Sequence, residues 1–320
     1  MKELPVIYEM TRIRIHNPCN EFTRYFRNYN YFWDEFTNFL KNYFDVDENR
    51  FFENAHKERF PVKLNKGISD VFLLLECEYV IENLDNGEFV VLSVSDDLTH
   101  AILNEKSNPY LKKVLVSQFL PKKILGHVGE YFYKYSPWTY FQASFDDLEK
   151  FYQERNNNIH FKNELYFKGT SLEERKILHH INKKIITDFT PIPPPIYFED
   201  LITHKIALSV DGRGEFCYRD VECFGLGVPI LRFEYLSQFE PKLIPNYHYI
   251  SIPRPSDMDI YRLGNKTHAE ILESRYYEII NDDELLTYVS TNAKKYYEEN
   301  FKLESKIKNT YNLLELDSWL

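Results

Sequence analysis

The stretch from Ile206 to Arg232, IALSVDGRGEFCYRDVECFGLGVPILR, gathers residue types suited to one task, the capture of a phosphate. It reads as a buried apolar strand, a loop carrying Gly212 and Gly214, a short helix opening on Arg219, and a second buried strand. Glycines let backbone approach a ligand closely. A helix N-terminus offers unpaired N–H groups and partial positive charge. Arg219, in the first turn, adds a rigid fork that matches a diphosphate. A second candidate is Asp96-Asp97, where the apolar run Phe89–Val94 ends. Open α/β sheets place their chemistry at that rim, although a turn or helix cap uses the same residues.

Other motifs are set aside on spacing. Gly212-Arg213-Gly214 would need a third glycine at Cys217 to be a dinucleotide fingerprint, and no P-loop sequence occurs. Asp45-Val46-Asp47-Glu48-Asn49 begins like a calcium loop, but Arg50 and His56 stand at its glycine and glutamate positions. Asp257-Met258-Asp259 reads as a helix cap, and His179-His180 as the solvated side of a charged helix. Arg219 could alternatively pair with Asp220 or Glu222 on a surface.

These residues need a scaffold of ordinary globular composition. The chain has 320 residues, 43% of them hydrophobic, enough for two domains. A net charge of −10 argues against a nucleic-acid surface. Cys19, Cys77, Cys217 and Cys223 lack paired metal-ligand spacing and read as reduced thiols, which indicates a cytoplasmic setting. No signal peptide is expected, and no apolar run is long enough to span a bilayer.

The pattern predicts helix over residues 31–44, then strands at 70–75, 89–94 and 113–117. After Trp138 it predicts a strand at 164–169, a capped helix from Ser171 to Lys184, an extended connector at 190–196, the strand–loop–helix–strand above, a strand at 248–252, and helices to the end. Short apolar runs alternating with helices imply an α/β fold with mostly parallel sheets. The expected division is residues 1–155, residues 156–302, and a terminal helix at 303–320 packing back on the first domain.

Four segments, taken together, resemble glycosyltransferase family 90, the protein O-glucosyltransferase and capsule-associated xylosyltransferase family. Val210-Asp211-Gly212 through Tyr218-Arg219 looks like its donor loop, followed by Gly227–Leu231 and the proline-containing run 243–250. Tyr166-Phe167-Lys168-Gly169-Thr170 with Arg175 resembles its aromatic-Arg-Gly-Ser/Thr segment, with Lys168 in place of the arginine. Ser136-Pro137-Trp138-Thr139-Tyr140 resembles its Pro-x-Trp element, and Leu92–Asp96 the strand that carries its catalytic Asp. The similarity covers about residues 85 to 300. Ser95 departs from the pattern, Asp97 leaves the base open between two carboxylates, and the first hundred residues match nothing in the family.

The resemblance implies a GT-B architecture, two Rossmann-like domains facing across a cleft, and an inverting, metal-independent transfer of glucose or xylose from a UDP-sugar to a glycan hydroxyl. It implies Asp96 or Asp97 as base, a donor site from Gly169, Thr170, Arg175, Asp211, Gly212, Tyr218, Arg219 and Glu222, and Trp138 and Tyr140 on the acceptor side or in the core. No cofactor is expected beyond the donor substrate. A family member usually has a leader and disulfides; their absence favours a bacterial or viral glycan-building role over a protein acceptor. A GT-B transferase using another nucleotide sugar, such as GDP-fucose, and a non-catalytic glycan-binding protein remain the alternatives.

Overall fold

A computed structural model describes residues 10–17, 27–50, 59–62, 64, 72–75, 78–93, 106–117, 121–138, 148–157, 160–169, 173–211, 215–254 and 257–320. The chain divides into two compact units, residues 1–142 with 306–320, and residues 143–305. The second unit therefore begins ahead of the 155/156 boundary expected from the sequence.

The first unit contains β1 (Arg12–Asn17), α1 (Arg27–Leu40), β2 (Asp45–Arg50), β3 (Arg59–Val62), β4 (Phe72–Leu75), β5 (Glu78–Asn83), β6 (Phe89–Ser93), β7 (Leu111–Val116), α2 (Pro121–Val128), a 3₁₀ helix (Gly129–Lys134) and β8 (Tyr135–Pro137). Six strands form one sheet in the order β2-β1-β5-β6-β7-β8, with β3 and β4 as a separate antiparallel pair. All neighbours in the six-stranded sheet are parallel except β5, which runs against β1 and β6. β6 is buried at every position, as a strand covered on both faces must be. β1 alternates: Ile13 and Ile15 are buried, while Arg12 pairs with Asp85 and Arg14 with Asp47. The chain end is fastened here, with Trp319 Nε1 donating to Glu88 and Thr11 Oγ1 to the Trp319 carbonyl.

The second unit contains α3 (Leu148–Asn156), β9 (Lys162–Tyr166), a 3₁₀ helix (Glu173–His180), α4 (Pro194–Leu201), β10 (His204–Leu208), α5 (Tyr218–Leu226), β11 (Ile230–Phe233), β12 (Ile250–Ile252), α6 (Asp257–Ile279) and α7 (Asp283–Asn300). α8 (Leu303–Leu313) runs from this unit back into the first and is followed by a 3₁₀ turn at Leu316–Trp319. β9 to β12 form a wholly parallel sheet in the order β12-β11-β10-β9.

Beyond β9 the sheet gains one more parallel segment. Leu165 bonds through its N–H to the Ile185 carbonyl and through its carbonyl to Thr187 N–H, at 2.6 and 3.1 Å. Both groups point away from β10, so the chain passes from β9 to one side, returns across it as α4, and continues on the other side from β10. The spatial order 2-1-3-4-5 places the reversal of winding between the carboxyl ends of β9 and β10, where such sheets bind ligands.

The helix predicted over Ser171–Lys184 is corrected to 3₁₀ turns over Glu173–His180. Asn182 ends them: its Oδ1 accepts Lys184 N–H at 3.0 Å in an Asx turn, freeing Ile185 and Ile186 to pair beside β9. The connector predicted over 190–196 is extended only to Pro193, because Pro194 is accommodated in the first turn of α4.

α5 ends at Gly227, whose φ of 63° closes a Schellman turn, with Val228 N–H on the Cys223 carbonyl and Gly227 N–H on that of Phe224. A Cβ there would sit 2.8 Å from the Tyr152 ring. Gly227→Ala is therefore expected to cost about 2 kcal/mol or more, from left-handed backbone strain and overpacking, read from the urea midpoint. His248 provides a second expectation. Its Nδ1 accepts Ile244 N–H at 3.0 Å, and burial pushes its pKa down to about 4 from 6.5. Between those values the unfolded chain binds a proton that the folded imidazole refuses. This contribution should be complete above pH 6.5 and fall as the pH is lowered toward 4, and His248→Gln should flatten that slope in denaturation curves.

Candidate functional site

The carboxyl ends of β9 and β10 and the start of α5 meet at the winding reversal. β10 is buried from Ile206 to Leu208, and it delivers Ser209, Val210 and Asp211 to the rim. Gly169, at φ 153°, turns the chain away after β9 in a conformation few other residues adopt.

One buried arginine organises the far side. Arg232, at the end of β11, is 1% exposed. Its fork donates to Asp220 Oδ2, Asp211 Oδ1 and the Glu215 carbonyl, each at 2.9 Å, and its Nε to the Phe233 carbonyl at 3.1 Å. Asp220 Oδ2 also accepts the Cys217 N–H at 2.9 Å, so the same carboxylate caps α5. Arg254, two residues beyond β12, grips Asp211 Oδ2 at 2.8 Å, and the Glu215 carboxylate receives the N–H groups of Leu236 and Ser237. Both ends of the loop between β10 and α5 are thus fixed by charge-assisted bonds.

Arg219 differs. It is 8% exposed, and its Nη2 donates to the Lys168 carbonyl while its guanidinium lies 4.1 Å above the Phe167 ring. Its Nε is buried without a hydrogen-bond partner, and it has no ion pair among the described residues. It also stands in the first turn of α5, where the helix dipole opposes a cation. A buried cation placed so is costly unless an anion joins it. Glu222, one turn on and half-buried, does not fill that role. Burial pushes its carboxyl up, and the Arg219 charge draws it only partly back. Lys168 instead pairs with Asp188 at 2.8 Å, and this bond pulls the Asp188 pKa down to about 2.

Of the residues expected at a donor site, the structure brings Gly169, Asp211, Tyr218, Arg219 and Glu222 to this rim. Asp211 is held by Arg232 and Arg254. Tyr218 is 37% exposed at the start of α5. The backbone of Arg175 belongs to the 3₁₀ helix, and its side chain, like Thr170 and Gly212, lies outside what is described. Asp96, Asp97 and Tyr140 also lie outside the described residues. Trp138 is a core residue of the first unit, 1% exposed, with Nε1 on Thr310 Oγ1 and its ring near Phe32 and Trp33. Cys217 and Cys223 are free thiols.

Among the described residues no group of three or more His, Cys, Asp or Glu could hold a metal ion, and no helix is long and apolar enough to cross a membrane. Sequence reasoning missed Arg232, Arg254 and Asp188; nothing in local spacing marks partners drawn together by the sheet.

No protein-family model and no curated protein sequence matches the chain. Among solved structures, Anabaena HepE in complex with UDP-glucose is similar at 11% identity and a TM-score of 0.41, over 66% of this chain. This chain spans 65% of the HepE chain, less than two thirds. A glycosyltransferase from Rickettsia africae gives 12% and 0.43, covering 68% of this chain and 67% of that one. Sucrose-phosphate synthase from Thermosynechococcus elongatus gives 11% and 0.43, covering 70% and 64%. All three scores are below 0.5, so the chemistry of the site has to be argued from its residues.

Removing Arg232 while leaving its carboxylates buried should be severe. Arg232→Met is expected to cost about 3–5 kcal/mol in chemical denaturation. Adding Asp220→Asn to Arg232→Met should cost less than the sum of the two single changes, because the stranded charge is removed with its partner.

Proposed function

We propose that the chain is a GT-B glycosyltransferase of the family 90 type, transferring glucose or xylose from a UDP-sugar to a glycan hydroxyl. The observation that carries this reading is Arg219, a buried cation without an ion pair among the described residues, at the winding reversal of a parallel sheet. The anion that best fits a planar fork beside helix N–H groups is a diphosphate. The second unit is then the donor side and the first the acceptor side. The free thiols of Cys217 and Cys223 agree with a cytoplasmic setting.

In the proposed reaction the acceptor oxygen attacks the anomeric carbon from the face opposite UDP. Its proton passes to Asp96, or to Asp97 beside it, as the new C–O bond forms. An ordinary carboxylate is ionised at pH 7 and can take that proton. The bond from the anomeric carbon to the β-phosphate oxygen breaks, and UDP leaves with the electron pair. Arg219, Arg175 and the N–H groups opening α5 stabilise the charge that develops there, in the role a divalent ion fills elsewhere. Gly169 and Thr170 contribute backbone and hydroxyl contacts to phosphate oxygens, and Glu222 holds the ribose or orients Arg219.

Arg219→Ala should weaken UDP binding by about 1.5–3 kcal/mol, roughly tenfold to more than a hundredfold, measured by isothermal titration calorimetry with and without EDTA. Unchanged affinity removes Arg219 from the donor site; tighter binding of GDP than UDP points to a different donor, and binding abolished by EDTA restores a metal. Asp96→Asn should abolish transfer while UDP affinity stays within about twofold. Full turnover by that variant transfers the role to Asp97, tested by Asp97→Asn, and turnover in neither variant nor wild type leaves a glycan-binding protein.

A further inference from the structure

The second unit has another cavity, at the opposite edge of its sheet. It encloses about 680 Å³ between α3, the approach to β9, the start of β10, the turn before β11, and α7. That volume lies in the range of small-ligand sites. From Asn163 on its wall to Lys168 at the rim is roughly 16 Å along β9, at about 3.3 Å per residue. One small ligand therefore cannot occupy both places.

The cavity floor is rigid. Arg155 is buried, and its guanidinium donates to the carbonyls of Gly227, Ile202 and His204 at 3.0, 2.8 and 2.7 Å, while stacking 4.5 Å over Phe161. Ser290 Oγ adds a bond to the Gly227 carbonyl at 2.6 Å. These interactions use Arg155 to hold backbone and leave it no strong appetite for an anion. The other cation, Lys205, is neutralised by Asp283 at 2.8 Å. An incoming phosphate would meet the Asp283 carboxylate. Besides His160, the groups left on the cavity wall carry no charge: the amides of Asn156 and Asn163, the hydroxyls of Thr287 and Thr291, and the rings of Tyr152 and Phe161. Asn156, Asn163 and Thr287 have no side-chain hydrogen bond among the described residues.

Amides and hydroxyls beside an aromatic ring, with compensated charge and an open mouth, match the surface of a sugar, which alternates hydroxyl edges with C–H faces. We propose that this cavity binds an uncharged, polyhydroxylated ligand, a stretch of neutral oligosaccharide, independently of any ligand at the carboxyl-terminal rim. The inference does not rest on the donor reading.

The full chain is titrated with maltohexaose and xylohexaose by saturation-transfer difference NMR, with UDP and a sulfated heparin hexasaccharide as charged comparisons. The expected result is binding of at least one neutral hexasaccharide, weakened at least about tenfold by Thr287→Trp and by Thr291→Trp. Both positions are exposed on α7, so the added indole fills the cavity and leaves the core intact; an unchanged melting temperature verifies this. UDP affinity should be the same in wild type and both variants. The proposal is overturned if no neutral oligosaccharide binds, if binding is indifferent to both tryptophans, or if the sulfated sugar is preferred. If UDP affinity falls with the tryptophans, the two places are not independent and the proposal fails on that ground. Loss of UDP binding in Arg219→Ala with sugar binding retained separates this inference from the donor reading.

Discussion

The carboxyl-terminal edge of the second sheet depends on a single fork. Arg232 reaches Asp211 in the segment that follows β10, Asp220 that caps α5, and a carbonyl of the loop between them. Taking such a charge out of water is unfavourable, and the attraction compensates only when every donor finds a partner of good geometry. Here the partners come from three separate segments, so the arrangement can be satisfied only when β10, β11 and α5 are all in place. The interaction contributes less to net stability than to defining one conformation of the rim. The described residues on either side of positions 212–214, Asp211 and Glu215, are both bound to Arg232.

A rim held in this way allows Arg219 to remain unpaired. Its neighbours Asp220 and Asp211 are already committed to Arg232 and Arg254. The nearest remaining carboxylate, Glu222, is itself shifted toward its neutral form by burial. Among the described residues this charge therefore has no carboxylate partner, and an uncompensated buried charge is one of the features by which ligand sites are sought.

The legibility of the fold followed burial. β6 is buried along its length and β10 from Ile206 on, and their apolar runs made them readable. The strand–loop–helix–strand around Arg219 was readable because glycines and an arginine at a helix start have local signatures. β2 was not, since Asp45–Arg50 is a charged edge strand whose carboxylates imitate a calcium loop and in fact pair across to Arg14 and Lys41. The short bridge at Ile186 was hidden for another reason. Its neighbourhood has strong helix formers, and only the Asx turn at Asn182 and the demand of β9 for a partner override them. Asp211 shows the limit most clearly: its residue type and loop position suit a ligand contact, but its actual partners are 21 and 43 residues away.

Three buried arginines in one unit separate structural from functional roles by their partners alone. Arg155 faces carbonyls at the amino-terminal edge, where it holds backbone and stacks on Phe161. Arg232 faces two carboxylates, and its charge is balanced within the fold. Arg219 faces one carbonyl and one ring, with an orphaned Nε and a helix dipole of the wrong sign. All three are buried, Arg155 and Arg219 to the same degree, so burial does not distinguish those two, and neither does residue type. What distinguishes them is the electrostatic balance around each guanidinium. Of these three it is Arg219 whose balance the described residues leave incomplete, and there binding an anion would lower the cost of the buried charge.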